Sequence, residues 1–487
     1  MRKTNTIFGK SDSGVVGVSL PETDVDDVKI NQIIDDEFIR KESPNIPEIA
    51  ESQVVRHYID LSNKNYHIDK NFYPLGSCTM KYNPKINEVI SNFDSIKNLH
   101  PNQPVETVQG AMELIYELEQ MLKKITGMFR CTLQPSAGAQ GELAGAMVIK
   151  QYHIFKGNEK NVILVPDSAH GTNPATVVRV GYKTRVIKSD SSGRVDIDDL
   201  KKNIDSKVAG LMLTQPNTLG LFEDNIQEIT KLIHDVDGLV YMDGANLNAL
   251  VGIVRPADMG FDITHMNLHK TFSTPHGGGG PGSGPIGVVE KLVPFLPVPV
   301  IDKKDDGSFF WNYNYPNSIG RLHGQFGNFG ILVRAFTYIK MLGDKGLKDM
   351  SSNAVLNANY LKSLIEEKYD VPYSDGIMHE FVISGIKQKK RGTKVLDIAK
   401  KILDEGYHSP TIYFPINVPE AMMIEPTETE TKKTLDEYAD TLIKIDKLVD
   451  DNPSELCDAP VNTPVQRLNE AQASRNPDVR WNFEISD

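Results

Sequence analysis

Lys270 stands in the run Thr264-His265-Met266-Asn267-Leu268-His269-Lys270-Thr271-Phe272, behind a strand-like stretch and ahead of Pro275-His276 and the glycines Gly277 to Gly280. A lysine amine that burial or nearby cations have stripped of its proton condenses with carbonyls, and glycines let backbone pass close to a bound group. Alone, such a lysine reads more simply as a solvated loop residue. Asp243 follows the apolar run Leu239-Val240-Tyr241-Met242, at the edge where open α/β sheets take their ligands. Alone, it reads as a turn aspartate or helix cap. Gln134-Pro135-Ser136-Ala137-Gly138-Ala139-Gln140-Gly141-Glu142 is a small-residue turn opening a helix, whose free N–H groups and dipole suit a phosphate. His170, in Asp167-Ser168-Ala169-His170-Gly171, also ends a strand-like run and is placed to stack on a planar ring. His265 and His269 are spaced i, i+4, but their segment reads as strand, where they share no helical face, so no metal site is expected.

The order of these residues says more than any one of them. A phosphate turn, a stacking histidine, a carboxylate and a lysine each fall at a strand end of one alternating pattern. That is the equipment of a pyridoxal-5′-phosphate (PLP) enzyme: a lysine for the Schiff base, and a carboxylate that keeps the pyridine nitrogen protonated and the ring an electron sink.

The elements that must position them alternate from about residue 105. Apolar residues at helical spacing run from Val105 to Ile125, with a second helix from Gly141 to His153. Strand-like runs follow at 162–165, 184–187, 208–213 and 239–242, separated by helical segments at 176–181, 197–204 and 226–235. Such alternation implies right-handed crossovers and a mostly parallel sheet covered on both faces. After Lys340 the pattern changes to helices at 345–368, 394–405 and 427–450 with a strand at 381–384. The expected organisation is an N-terminal arm (1–100), a large α/β domain (101–338) and a smaller α+β domain with a polar tail (339–487).

The 487 residues carry a net charge of -12 and are 39% hydrophobic and 24% charged, the mix of an ordinary globular enzyme. No basic clustering suggests nucleic acid or a membrane surface. Cys78, Cys131 and Cys457 are far apart and fit a reducing cytosol rather than a disulfide framework. The N-terminus has no apolar signal core, and no run is long enough to span a membrane.

Longer motifs carry a resemblance. YPLGSCTMKYNPK (73–85), QPSAGAQGE (134–142), SAHGTNPA (168–175), NTLGLFE (217–223), MDGANLNAL (242–250), NLHKTFSTPHGGGGPGSGP (267–285), IGRLHGQFGNFG (319–330) and PTIYFPINVPEAMMIEP (410–426) resemble the P-protein of the glycine cleavage system. The resemblance implies the aspartate aminotransferase-like fold type I of PLP-dependent transferases. It also implies decarboxylation of glycine with transfer of the aminomethyl group to the lipoyl arm of the H-protein. Single-chain members are about twice as long, so this chain resembles subunit 2 of the split form, implying a subunit 1 and an α2β2 assembly. Carried over, Lys270 matches the Schiff-base lysine, Asp243 the pyridine partner and His170 the stacking histidine. Gly138, Ala139 and Gln140 lie where the phosphate is taken; Asn217 and Asn246 are candidates near the ring hydroxyl. His269, Thr271 and His276 would line the pocket, and Tyr73, Ser77 and Thr79 would contact substrate. Two other readings stay open: a different fold type I enzyme, such as an amino-acid decarboxylase or cysteine desulfurase, and a non-catalytic partner subunit.

Overall fold

The computed structural model describes residues 6–276 and 282–478; the glycines Gly277 to Gly280 lie outside the described residues. Two compact units result, Met1–His67 with Pro460–Asp487, and Ile68–Ala459. In the first, the helix Glu51–Ser62 accompanies short 3-10 turns, and Val16, Leu20, Ile33 and Phe38 are exposed.

The second unit is built on a seven-stranded sheet of β1 (Arg130–Thr132), β2 (Val162–Pro166), β3 (Lys183–Ile187), β4 (Val208–Thr214), β5 (Leu239–Gly244), β6 (Ile263–Met266) and β7 (Ile286–Val288). Its order is β1-β7-β6-β5-β4-β2-β3. Only β7 runs antiparallel to its neighbours. Residues 208–213 and 239–244 are buried throughout, as strands covered on both faces must be. The helix Gly138–Lys156 packs tightly because it is made of small residues there: a Cβ on Gly145 would come within 2.4 Å of the Tyr241 ring. The helix Ile226–His234 buries Ile226, Ile229, Thr230 and Ile233 on one stripe. Asp196 caps the helix Ile197–Asn203 by accepting from the N–H groups of Asp198 and Asp199, a contact contributing about 1 kcal/mol.

A hairpin of β8 (Val300–Lys303) and β9 (Phe309–Asn312) follows. A three-stranded antiparallel sheet is then formed by β10 (Phe381–Ser384), β11 (Thr411–Ile412) and β12 (Ala421–Ile424), in the order β10-β12-β11. Phe381, Ile398, Leu435, Tyr438 and Leu442 pack around it. Among the described residues no helix is long and apolar enough to cross a membrane.

Two local expectations change. The helix expected from 345 begins at Phe329 and runs to Ile365, interrupted at Gly343 (φ 62°); that break hid the continuity, while Ile331, Leu332 and Ala335 bury its first half. The segment read as strand from His265 to His269 ends its strand at Met266 and turns into a short helix, Leu268–Thr271. This turn lifts Lys270 off the sheet edge.

Candidate active site

The C-terminal ends of the parallel strands open onto a cavity of about 160 Å³. Its walls include Ser77, Gly138, Ala139, Glu142, His170, Asp243, Asn246, Lys270, His379 and Glu380. Asp243 sits at the end of β5, paired across the sheet with Thr214 on β4 and His265 on β6. It accepts hydrogen bonds from Asn173 Nδ2 (3.0 Å) and the Ala245 N–H (3.1 Å), and His265 Nε2 lies 3.5 Å away. Burial favours the neutral acid, but His265, Asn173, Ala245 and Lys270 together outweigh it and hold the carboxyl below the usual carboxylate range. Asp243 is therefore a buried anion at one end of the cavity.

Gly138 and Ala139 open the long helix Gly138–Lys156, whose N-terminus has no side-chain cap. A Cβ on Gly138 would stand 2.4 Å from Asn267 Oδ1. Among the described residues the wall keeps several buried polar atoms without a hydrogen-bond partner: Asn267 Oδ1, Glu142 Oε1 and Thr214 Oγ1. Unpaired buried groups are costly unless a ligand completes them. Lys270 lies on the same cavity and donates from Nζ to the Ser77 carbonyl at 2.6 Å.

The remaining sequence candidates divide. His170 is on the cavity, exposed, with Nδ1 against Thr172 Oγ1 at 2.9 Å; Thr172 in turn donates to Glu142 Oε2. Asn246 is on the wall and donates to Glu425. Gln140 turns away, accepting from Ser136 and donating to the Leu322 carbonyl. Asn217 is buried in its own loop, donating to the Gly193 carbonyl and accepting from the N–H groups of Leu219 and Leu221. His269 and His276 meet edge to face behind Lys270 with centroids 5.1 Å apart. Burial pushes His269 down to about 4 and His276 down to about 3. Thr271 accepts from the Leu247 N–H. Tyr73 stacks on His408 at 4.0 Å.

The loop 73–81 reaches the cavity from the small sheet. Leu75 bridges to Ile424 on β12, and a Cβ on Gly76 would meet Met423 at 2.2 Å. Ser77 (φ 62°) and Thr79 (φ 47°) both hold left-handed backbone, an unfavourable state for residues with a Cβ. Two buried carboxylates secure it: the Ser77 N–H donates to Glu380 Oε2 at 2.7 Å, and the Thr79 N–H and Oγ1 donate to Glu425. Lys81, also buried, is bound by Asn248, Glu428 and the Thr271 carbonyl. Sequence reasoning missed Glu380, Glu425 and Lys81. A signal existed for the first two, since each is an acid directly abutting a largely apolar strand, EFVIS and AMMIE.

The model of the family described as "Glycine cleavage system P-protein" matches residues 16–308, and that of "Glycine dehydrogenase, C-terminal domain" matches 350–465. The chain is 55% identical over 478 residues to a "Probable glycine dehydrogenase (decarboxylating) subunit 2" of Chloroherpeton thalassium, covering 98% of this chain and 97% of the relative. It is 52% identical to the protein of that description from Listeria monocytogenes, covering 98% of each. Among solved structures, a glycine decarboxylase (P-protein) of the glycine cleavage system in inhibitor-bound form superposes with TM-score 0.71 at 17% identity, covering 85% of this chain and 94% of that one. A NifS-like protein superposes with TM-score 0.60 at 14% identity, covering 78% and 99%. The fold is that of the PLP-dependent fold type I enzymes.

Proposed function

Since the chain belongs to the glycine cleavage system P-protein family, we propose that it decarboxylates glycine and passes the aminomethyl group to the lipoyl arm of a carrier, the H-protein. One observation carries this reading: an amine, a buried anion and an uncapped helix N-terminus converge on a single cavity. That donor set fits PLP, the cofactor the family and the fold imply. Gly138 and Ala139 would hold its phosphate, Asp243 its pyridine nitrogen and Lys270 its aldehyde carbon, with His170 over the ring. When bound, PLP supplies an electron sink for the pair released as CO2 departs.

The chain's own residues do the rest. Asp243 is buried and held ionised, so it would keep a proton on the ring nitrogen. The Ser77 carbonyl fixes the direction of the Lys270 amine before it reacts. His269 and His276 are kept neutral behind that amine, so neither competes with it for a proton or adds a cation.

We further propose an assembly with a subunit 1, in an α2β2 arrangement in the cytoplasm. The relatives' designation as a subunit 2 supports a partner. Exchange of the glycine carboxyl with labelled bicarbonate tests the function, with PLP and lipoylated carrier present and the partner added or omitted. Exchange in the complete mixture is expected. No exchange, with PLP confirmed on Lys270, refutes glycine decarboxylation.

A further inference from the structure

β10 and β12 pair with Phe381 opposite Ile424, and the next rung at that end places Glu380 across from Glu425. Both are buried, and with His379 their ligand atoms lie within 4.8 Å of one another. Two carboxylates that close cannot both be charged without a cation or a proton between them. Their surroundings differ. Glu425 is fully solvated by the protein, accepting from the Thr79 N–H (2.9 Å), Thr79 Oγ1 (2.7 Å) and Asn246 Nδ2 (2.9 Å). Glu380 accepts one firm bond, from the Ser77 N–H on Oε2, while Oε1 has Ser77 Oγ at 3.4 Å and, beyond hydrogen-bond reach, His379 Nε2 at 3.9 Å. The charge therefore belongs on Glu425 and the proton on Glu380 Oε1, and Glu380 is the one of the two on the cavity wall.

Resting on the glycine-decarboxylase reading above, we infer that Glu380 is the proton donor for the sulfur released during aminomethyl transfer, with Glu425 the positioning residue that keeps Glu380 protonated. The step balances as follows. The electron pair left on the aminomethyl carbon forms a C–S bond to one sulfur of the carrier's disulfide. The S–S bond breaks, its pair goes to the second sulfur, and that thiolate takes the proton from Glu380 Oε1. The carboxyl is then reprotonated from solvent. A thiolate left in a buried cavity is costly, and other groups near Lys270 are poor donors. His379 and His276 are each pushed down to about 3 and His269 to about 4. The Cys78 thiol is pushed up by burial, with Glu425 and Glu380 adding to it and Lys270 opposing. Glu380 itself is pushed up to about 8 by burial and by Glu425, against the Ser77 N–H and Lys270. The spacing of His379, Glu380 and Glu425 would also accept a metal ion, but Glu425 already accepts from three N–H and O–H donors on its two oxygens.

The test uses Glu380→Gln, which preserves shape and the acceptor for Ser77, with Glu425→Gln as the second variant. Infrared difference spectra of the full chain without cofactor should contain a protonated-carboxyl C=O band at pH 7 that titrates away near pH 8. The band should vanish in E380Q and titrate at lower pH in E425Q. In the complete system, single-turnover E380Q should form CO2 while transfer to the carrier falls roughly 10²- to 10⁴-fold. A missing band, transfer by E380Q at the wild-type rate, or stoichiometric zinc binding that E425Q abolishes overturns the assignment. Absence of CO2 from the wild-type system instead refutes the underlying function, which the infrared measurement does not depend on.

Discussion

Replacing Lys81 by methionine asks what holds the loop that shapes the cavity. Lys81 Nζ donates to Glu428 Oε1 and Asn248 Oδ1, each at 2.7 Å, and to the Thr271 carbonyl at 3.1 Å. Glu428 also accepts from Asn248 Nδ2 at 3.2 Å and the Tyr338 hydroxyl at 3.3 Å; Lys81 is buried and the Glu428 side chain is nearly so. Methionine keeps most of the stem's packing but strands the Glu428 charge among neutral donors. Breaking a buried ion pair from one side costs ~3–5 kcal/mol, or two to three and a half decades in the folding equilibrium at about 1.4 kcal/mol per decade. Changing Glu428 to glutamine in the same chain removes the stranded charge, so K81M/E428Q should recover more than half of that loss. Equilibrium urea unfolding of wild type, both single variants and the double variant measures the coupling. A K81M cost below ~1 kcal/mol, or a double variant no more stable than K81M, would refute the claim that this ion pair anchors the loop. Because Thr271 adjoins Lys270, K81M should also weaken cofactor retention, read as loss of bound cofactor on dialysis.

Other outcomes follow from the same geometry. Lys270→Ala should abolish both turnover and the visible absorbance of cofactor bound as a Schiff base; full activity would sink the assignment of that lysine. Gly138→Ala drives a Cβ to 2.4 Å from Asn267 Oδ1, and overpacking of ~1–3 kcal/mol should weaken cofactor binding about 5- to 150-fold by equilibrium titration. Unchanged affinity would remove Gly138 from the cofactor cradle. His269 and His276 are held below their unfolded values, so between about pH 6.5 and 4 the unfolded chain binds more protons. Their contribution is therefore fully present above about pH 6.5 and is lost as pH falls, with a slope reaching ~1.4 kcal/mol per pH unit per histidine. Urea midpoints across that range should flatten in His276→Asn; an unchanged slope would contradict the buried neutral state.

The βα alternation was legible because buried parallel strands such as 208–213 are continuous apolar runs, and their ends lay within a residue or two of the expected places. Strand ends in turn brought Asp243, His170 and Gly138 to one edge, as the order of motifs implied. What stayed hidden depends on long-range register. Glu380 and Glu425 meet Ser77 and Thr79 across more than 300 residues of chain, a distance that periodicity cannot span. Asn217 illustrates the converse: its motif is conspicuous, yet its amide serves backbone, the oxygen that of its own loop and the N–H the carbonyl of Gly193. The turn that carries Lys270 is too short for helical spacing to reveal.

The pairing of β10 with β12 has a consequence for how this chain can vary. Successive side chains point to opposite faces of a strand, so adding or deleting one residue in 381–384 or 421–424 would swing one carboxyl of the facing pair away from its partner. Lineages and chimeras can then trade the outer helix Lys432–Asp451, or lengthen the turns that precede either strand, while the count of residues in the two strands stays frozen. Homologous recombination with crossover points inside those eight positions should yield viable offspring only when both parents contribute segments of equal length.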